Sequence, residues 1–423
     1  MKIDSASRLR GSVVTPGDKS ISHRALMISA LASGRSVIRG GSRGADVLAT
    51  MQIMRQLGAS IVDGAEIVVE GPQGGLRASN ETLDCGNSGT TIRLLMGLLA
   101  GVAGTHRLDG DASLRSRPMS RVADPLEMMG VRFAGGPNHL FAPFDMSTDG
   151  HPLALNYLIP VPSAQVKSAI LFASLAAESV STVIEKTFTR ANTEEMLVDA
   201  GISLQVSEHH GERTIRVSPG RPQRNVWQVP QDPSQAAFFV VAALVHPDAN
   251  LEFTDIYAGA ERNGYLDVLT RMGALIEREN VGTTVNLRAR SSKLQGTTIH
   301  SREIPSVDEV PILVVAAAAA EGNTAFMDMG ELRIKESDRF ANSVALAQSL
   351  GAAVEVDGDS FVVSGLGDSR LFQEATSSHP GDHRMTMATA ISGVCGNGAK
   401  IDFPESVRSS FPTFFELLAS LTS

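Results

Sequence analysis

MGALI, residues Met272–Ile276, is one copy of a signature that recurs along the whole chain. The other copies are LGASI at Gly58, MGVRF at Gly130, AGISL at Gly201 and LGAAV at Gly351. Successive glycines are 72, 71, 72 and 78 residues apart, and a fixed spacing predicts a repeated structural unit. Glycine is the preferred residue just beyond a helix C-terminus, and the alternating residues that follow predict two strands joined by a turn.

Each copy also contains an Ala-rich apolar segment of helical length. A helix that is apolar on every side is buried on every side, and small side chains allow close packing. The six segments are Ser22–Ser33, Thr90–Ala103, Gln165–Ala177, Gln235–His246, Glu309–Ala320 and Met385–Cys395.

A strand and a loop containing a cation follow each segment, so the unit is predicted to be βαβαββ. The six loop cations are Arg43, Arg117, Arg190, Arg262, Lys335 and Arg408. The sixth copy ends after the helix-like Phe414–Leu421, and we assign Ile3–Gly17 to complete it. The chain would then cross between two halves near Thr15–Asp18 and Gln228–Pro233. We therefore predict one domain at residues 17–229 and another at residues 1–16 plus 230–423, with three copies in each.

The bulk composition excludes several classes of protein. A net charge of −9 argues against general nucleic-acid binding, which needs a basic surface. Only Cys85 and Cys395 occur, so neither a disulfide framework nor a cysteine-rich metal site is expected, and a reducing cytoplasm fits best. The N-terminus lacks an apolar signal core, and the longest apolar runs, such as Val310–Ala320, are too short to span a bilayer.

The residues immediately before the six buried helices suit anion binding. They read PGDKS (16–20), CGNSGT (85–90), PSAQVK (162–167), DPSQ (232–235), PSVDE (305–309) and PGDHR (380–384). Helix N-termini present unpaired N–H groups and partial positive charge. The alternative is that Asp, Ser and Asn here are only helix caps. Cations close to these helix starts favour anion binding, because the helix dipole disfavours cations at this end; they are Lys19, Arg24, Arg93, Lys167 and Arg384.

Two further basic stretches are ambiguous when each is taken alone. RIKESDR, Arg333–Arg339, has the alternating charges of a solvated, salt-bridged helix face, and RSRP, Arg115–Pro118, could be a surface turn. Both follow the equivalent strand of their copy, in opposite halves, and this correspondence favours a functional role.

Six motifs in this order resemble those of the 5-enolpyruvylshikimate-3-phosphate synthase family. They are PGDKSISHRA, GNSGTTIRL, LRSRPM, SAQVKSA, KESDR and GDHRM, and they span the whole chain. The resemblance implies a two-domain inside-out α/β barrel, with three βαβαββ units and buried parallel helices in each domain. It also implies transfer of the enolpyruvyl group of phosphoenolpyruvate to the 5-hydroxyl of shikimate 3-phosphate, with release of phosphate and without a metal or organic cofactor.

The resemblance assigns substrate contacts residue by residue. For shikimate 3-phosphate it implies Lys19, Ser20, Arg24, Ser163, Ala164, Gln165, Arg190, Asp308 and Lys335. For phosphoenolpyruvate it implies Lys19, Gly89, Arg117, Gln165, Arg339 and Arg384. Clustered arginines suit the planar edges of carboxylate and phosphate. Because each half carries only part of this set, we expect the domains to close on the substrates.

Addition to the enol requires a base for the hydroxyl proton and an acid for the methylene. We expect Asp308 to be the base, with Lys335 beside it. Glu336 and Lys19 are both candidates for the acid, and the sequence does not choose between them.

Several positions depart from familiar members of the family. Ala164 replaces a serine that is common in one branch, Glu331 stands where that branch has an asparagine, and Asn192 stands where the other branch has a histidine. Ser409 aligns with a lysine of some members, and Arg408 is one residue away. The nearest rival is the transferase that acts on UDP-N-acetylglucosamine, which typically has a reactive cysteine where this chain reads DASLRSRPM. A non-catalytic anion- or nucleotide-binding protein is a second rival, although it would not need Asp308 and Glu336 beside Lys335. We expect a cytoplasmic monomer that binds neither nucleic acid nor membrane.

Overall fold

The protein is represented by a computed structural model that describes residues 1–134, 140–304 and 307–422. The chain divides into two compact units. The first unit is Gly17–Val229, and the second unit combines Met1–Pro16 with Pro230–Ser423.

The N-terminal segment and the first unit hold the following elements. Ahead of the first unit lie β1 (Lys2–Ile3) and β2 (Leu9–Val13). The first copy contains α1 (Lys19–Leu31), β3 (Arg35–Arg39), α2 (Ala45–Gln56), β4 (Ser60–Asp63) and β5 (Ile67–Glu70). The second contains β6 (Leu83–Asp84), α3 (Gly89–Leu99), β7 (Gly104–Asp109), α4 (Ala112–Arg115), α5 (Ser120–Met128), β8 (Arg132–Ala134) and β9 (Phe144–Thr148). The third contains β10 (Asn156–Leu158), α6 (Ala164–Ser174), β11 (Ser181–Glu185), α7 (Asn192–Asp199), β12 (Leu204–His209) and β13 (Glu212–Val217), and β14 (Val226–Gln228) follows.

The second unit holds the remaining three copies. The fourth contains α8 (Pro233–Val245), β15 (Ala249–Tyr257), α9 (Gly264–Arg271), β16 (Leu275–Val281) and β17 (Thr284–Arg290). The fifth contains β18 (Thr298–His300), α10 (Val310–Ala319), β19 (Asn323–Met327), α11 (Arg339–Ser349), β20 (Ala353–Asp357) and β21 (Ser360–Ser364). The sixth contains β22 (Ala375–Ser377), α12 (His383–Cys395), β23 (Ala399–Ile401) and α13 (Phe414–Leu421). Short 3₁₀ helices lie at Ala260–Arg262, Ser301–Glu303, Gly330–Ile334, Ser369–Leu371 and Pro404–Ser409.

The same sheet recurs in both units and confirms the predicted βαβαββ unit. In the second copy the strand order is β6-β7-β9-β8, with β6 parallel to β7 and the other two pairs antiparallel. The fifth copy repeats this order as β18-β19-β21-β20 with the same directions. A parallel first pair needs a crossover connection, and in each of these copies one buried helix, α3 or α10, provides it.

The assignment of Ile3–Gly17 to the sixth copy is wrong for most of the segment. Only β1 joins the sixth sheet, where it pairs antiparallel with β23. The longer β2 pairs in parallel with β15 and is the first strand of the fourth copy. The chain passes from one unit to the other after the first strand of a copy and before its helix, so β2 is separated from α8 along the chain. In the same way β14, at the end of the first unit, pairs with β3 and provides the first strand of the first copy.

The buried helices form the cores of the units. Every described residue of α8, α10 and α12 is buried, as their uniform apolar character predicts. Close packing depends on small side chains: a Cβ added to Gly97 in α3 would lie 2.1 Å from the carbonyl oxygen of Ala169 in α6. These cores hold the N-termini of the helices in fixed positions within each unit.

The five signature glycines have the conformation that the sequence predicts. Their φ angles lie between +80° and +103°, in the left-handed region that glycine adopts most easily. A two-stranded antiparallel ribbon follows each of them, for example β4–β5 after Gly58 and β20–β21 after Gly351. The repeat marker is therefore a helix C-terminus.

Candidate active site

Side chains cap the N-termini of five of the six buried helices in the part of the chain that the structure describes. In each case an oxygen just before the helix accepts a hydrogen bond from a backbone N–H of the first turn. The capping residues are Asp18, Ser88, Ser163, Asp232 and Asp382. For the remaining buried helix, α10, the preceding Pro305 and Ser306 lie outside the described residues. The capping interpretation is thus correct for these five side chains, and the case for anion binding depends on the cations beside them.

Four of the residues predicted to contact shikimate 3-phosphate meet at the start of α1: Lys19, Ser20, Arg24 and Arg190. Lys19, Ser20 and Arg24 lie in its first two turns. Arg24 Nη1 donates to the Ser20 carbonyl at 3.0 Å, and Arg190 Nη1, from the loop before α7, donates to Ser20 Oγ at 3.4 Å. Lys19 Nζ lies 2.8 Å from an oxygen of Asp46 at the start of α2. Three cations from two copies therefore share this end of the first unit.

A second group in the first unit surrounds Gly89. Arg93 Nη1 donates to Gln165 Oε1 at 3.0 Å, and Gln165 Nε2 donates to Thr90 Oγ1 at 3.2 Å. A Cβ added to Gly89 would lie 2.7 Å from Arg93 Nη1 and 3.1 Å from Arg117 Nη1. The absence of a side chain at Gly89 thus gives space to two guanidinium groups. Gly89, Arg117 and Gln165, predicted together, lie together.

A buried hydrogen-bond chain joins α1 to α3 beneath these groups. His23 Nδ1 and Thr50 Oγ1 are 2.7 Å apart, and Thr50 Oγ1 and Thr91 Oγ1 are 2.8 Å apart. Thr91 also donates to Ser88 Oγ, at 2.7 Å. Burial lowers the pKa of His23 well below its ordinary value of 6.5, and two neighbouring cations on α1 lower it further. His23 is therefore a neutral link in the chain at physiological pH.

The second unit brings four of the predicted residues into one cluster: Asp308, Glu336, Arg339 and Arg384. Arg339 Nη1 lies 3.2 Å from Asp308 Oδ1, and Arg339 Nη2 lies 2.7 Å from Glu336 Oε2. Arg384 Nη2 lies 3.5 Å from Asp308 Oδ2, and its Nη1 donates to the Asp308 carbonyl at 3.1 Å. The Asp308 side chain is 21% exposed, so its carboxylate is partly accessible to solvent.

Asp382 anchors this cluster from below. Its carboxylate is completely buried and accepts a hydrogen bond from Arg339 Nε at 3.0 Å. Burial alone would raise the pKa of Asp382, but the Arg339 guanidinium outweighs burial and holds the pKa below its ordinary value. Burial would likewise lower the pKa of Arg339, and its carboxylate neighbours raise it instead. Both groups are therefore charged, and Asp382 holds Arg339 beside Asp308.

Lys335 lies in the turn between the 3₁₀ helix Gly330–Ile334 and α11, so it is not on one helix with Arg339. Its Nζ lies 2.8 Å from Glu331 Oε1, so Lys335 has an ion-pair partner within the second unit.

Asp46 and Asp382 were not predicted as site residues, and Arg93 was predicted only as a cation beside a helix start. Arg93 and Asp382 fall inside the motifs, so their positions were available as a signal. Asp46 is separated from Lys19 by 27 residues, and only the folded structure brings them together.

The chain is matched by the family profile of EPSP synthase (3-phosphoshikimate 1-carboxyvinyltransferase) over residues 3–418. It belongs to the EPSP synthase family. A 3-phosphoshikimate 1-carboxyvinyltransferase of Desulforudis audaxviator is 42% identical over 432 residues, covering 100% of this chain and 99% of the relative. The relative of the same name from Herpetosiphon aurantiacus is 41% identical, covering 99% of this chain and 98% of that one. The solved structure of EPSP synthase from Acinetobacter baumannii has a TM-score of 0.86 at 33% identity and covers 99% of this chain and 97% of that chain.

Membership of the EPSP synthase family confirms the predicted fold, and it confirms that the chain is a transferase. The six motifs lie at two kinds of position in the repeat. Four span the starts of buried helices, and LRSRPM and KESDR follow the equivalent strands β7 and β19.

Three further findings concern possible metal sites, membrane helices and the thiol of Cys85. Across the described residues, the structure contains no group of three or more His, Cys, Asp or Glu side chains that could hold a metal ion. Among the same residues, no helix is long and apolar enough to cross a membrane. Cys85, just before the Gly89 loop, is completely buried, and burial raises the pKa of its thiol well above the ordinary value. A buried, protonated thiol is a poor nucleophile, so Cys85 serves as a small core residue.

Proposed function

We propose that the clusters of the two units divide the chemistry of the EPSP synthase reaction between them. The enzyme transfers the 1-carboxyvinyl group of phosphoenolpyruvate to shikimate 3-phosphate and releases phosphate. The proposal concerns which residues hold these substrates and which move the protons.

The first unit binds the 3-phosphate and the ring of shikimate 3-phosphate in this proposal. Arg24 and Arg190 provide the cations, and both already donate to Ser20. The start of α6 adds Ser163, Ala164 and Gln165, where helix N–H groups and the helix dipole favour an anion. Because residue 164 is alanine, only its backbone N–H can donate to the phosphate.

In the same proposal, phosphoenolpyruvate binds at the residues that surround Gly89. Arg117 is almost fully buried and is held by Asn87, whose side-chain oxygen accepts from Arg117 Nη2 at 2.7 Å. Gln165 is shared with the other substrate site. In the second unit, Arg339 and Arg384 are the assigned contacts, and Lys19 is assigned to both substrates.

Asp308 is the base that takes the proton of the 5-hydroxyl. The observation that carries this role is the pair of arginines that fixes a partly exposed Asp308 carboxylate. Such a carboxylate has a defined direction and can still be reached by a hydroxyl group. Proton removal activates the oxygen, which then attacks the substituted carbon of the enol.

The methylene carbon takes up a proton in the same addition step. Lys19 is the better acid candidate, because its ammonium group is paired with Asp46 and carries a proton to give. Glu336 lies 2.7 Å from the Arg339 guanidinium, which favours its ionised form. In the elimination step the Lys19 amine takes a proton back from the new methyl group, and the carbon–oxygen bond to phosphate breaks.

The substitution Asp308→Asn tests the central role. We expect turnover to fall by about a thousandfold, within the range of general-base contributions, while shikimate 3-phosphate binds within about threefold of the wild-type affinity. Phosphate release gives the rate, and calorimetry gives the affinity. Asp357→Asn, an exposed carboxylate at the end of β20, is the matched control with normal turnover. Near-normal turnover of Asp308→Asn would exclude Asp308 as the base.

We also propose that the protein works as a cytoplasmic monomer. Its two cysteines are both free and buried, which suits a reducing compartment. Light scattering on the purified chain tests the oligomeric state, and a mass near twice 44.7 kDa would contradict it.

A further inference from the structure

A buried ion cluster lies directly behind the start of α6. Lys167 Nζ is 2.9 Å from Glu185 Oε2 at the end of β11 and 2.7 Å from Glu194 Oε1 in α7. The Lys167 side chain is 0% exposed, and the two glutamates are 2% and 4% exposed. None of the three has a role in the mechanism above.

Such a cluster needs an explanation other than stability. Removing a lysine and a carboxylate from water is unfavourable, and replacing a buried ion pair by apolar residues is often neutral or stabilising. The cost is visible in Glu194, where burial raises the pKa of the carboxyl even though Lys167 acts to lower it. The hydrogen bonds that Lys167 makes indicate which function offsets this cost.

Lys167 fixes the backbone next to Arg190. Its Nζ donates to the carbonyl of Thr189 at 3.2 Å, and Arg213 Nη1 lies 3.4 Å from the same oxygen. The hydroxyl of Thr189 donates to Glu185, the partner of Lys167. Thr189 is therefore held by its carbonyl and by its side chain, one residue before Arg190.

The next residue of α6 fixes the segment on the other side. Ser168 Oγ lies 2.7 Å from Thr193 Oγ1, three residues after Arg190. Arg24 donates to both, through Nε to Thr193 at 2.6 Å and through Nη2 to Ser168 at 2.8 Å. Lys167 and Ser168 thus hold the two ends of the segment that carries Arg190, one helical turn below Ser163–Gln165.

We propose that Lys167 is a positioning residue for shikimate 3-phosphate, which fixes Thr189 so that Arg190 faces the phosphate bound at the N-terminus of α6. This inference rests on the proposed role of Arg190 as a phosphate contact. A guanidinium gains most from a phosphate when two of its N–H groups meet two oxygens, so a small displacement of its backbone is costly.

The variant Lys167→Met tests the role, because it removes the ammonium group and keeps an apolar side chain of similar length. We expect the Kd of shikimate 3-phosphate, measured by calorimetry, to rise about tenfold or more. The KM for phosphoenolpyruvate at saturating shikimate 3-phosphate should stay within about twofold. Ile170→Val, on the same helix and also fully buried, is the control for destabilisation alone and should leave this Kd unchanged.

A double-mutant cycle separates positioning from general damage to the fold. In an Arg190→Met background, Lys167→Met should change the Kd by less than about twofold, because it acts through Arg190. An equal loss in both backgrounds, or a folded Lys167→Met protein with the wild-type Kd, would overturn the proposal. If Lys167→Met does not fold, the same cycle is run with Lys167→Met, Glu185→Gln and Glu194→Gln combined, which leaves no charge in the cluster. A wild-type protein that did not bind shikimate 3-phosphate would instead overturn the proposed function.

Discussion

Gly89→Ala is expected to weaken phosphoenolpyruvate binding without unfolding the protein. The added methyl would lie 2.7 Å from Arg93 Nη1 and 3.1 Å from Arg117 Nη1, whereas ordinary contact begins near 3.4 Å. The guanidinium groups must therefore retreat by about 0.7 and 0.3 Å, the differences between those distances. Both are ends of flexible side chains, so the backbone need not move, and alanine suits a helix better than glycine.

The displacement of the Arg93 guanidinium breaks its 3.0 Å hydrogen bond to Gln165, because an added 0.7 Å places the two atoms beyond hydrogen-bond distance. A hydrogen bond to a charged group contributes about 1.5–3 kcal/mol, which corresponds to a loss of about tenfold to a hundredfold in affinity.

Steady-state kinetics at saturating shikimate 3-phosphate would measure this loss as a higher KM for phosphoenolpyruvate. The Kd of shikimate 3-phosphate should rise less than this KM, because Gln165 is assigned to both substrates whereas Arg117 is assigned to phosphoenolpyruvate alone. Gly74→Ala is the control, since its methyl meets no atom within 4 Å. An unchanged KM, or an equal loss for both substrates, would refute the reasoning.

Three other expectations follow from the clusters. Arg339→Met leaves the buried Asp382 without its guanidinium partner, so urea unfolding should show a loss of about 3–5 kcal/mol, and Arg339→Lys, which keeps a charge, should lose less. His23 has a lowered pKa in the folded protein, so below pH 6.5 the unfolded chain takes up a proton that the folded protein does not, and stability falls as the pH falls. His23→Gln should reduce that slope by up to about 1.4 kcal/mol per pH unit between roughly pH 6.5 and 5.5, and an unchanged slope would contradict this. Small-angle scattering should show a smaller radius of gyration with both substrates bound, and identical curves would contradict domain closure.

The repeat made much of the fold predictable. Glycine beyond a helix and alternating residues after it are local features, and the structure reproduces them at all five signatures. The sixth copy was harder, because strand pairing depends on where the chain returns in space. The stretch around Leu9–Val13 has the alternation of a strand, but nothing local distinguishes the sheet of α8 from that of α12. Only the structure identifies β15 as the strand that pairs with Leu9–Val13.

The candidate site was likewise only partly predictable from the sequence. The motifs placed Gly89, Gln165 and Arg384 at the starts of defined helices, since helix starts can be read from the sequence. The partners that orient them could not be predicted: Asp46 meets Lys19, and Glu194 meets Lys167, only through packing of separate helices. A carboxylate on the surface outside the site would give the same local sequence signal, so the sequence alone does not single out Asp46 or Glu194.

Phosphate release from phosphoenolpyruvate tests the central claim most directly, with shikimate 3-phosphate and UDP-N-acetylglucosamine as alternative acceptors. We predict release that depends on shikimate 3-phosphate and is abolished by Asp308→Asn, with none above background for UDP-N-acetylglucosamine. No release with shikimate 3-phosphate, or equal release with the nucleotide sugar, would contradict the assignment of these residues to this reaction.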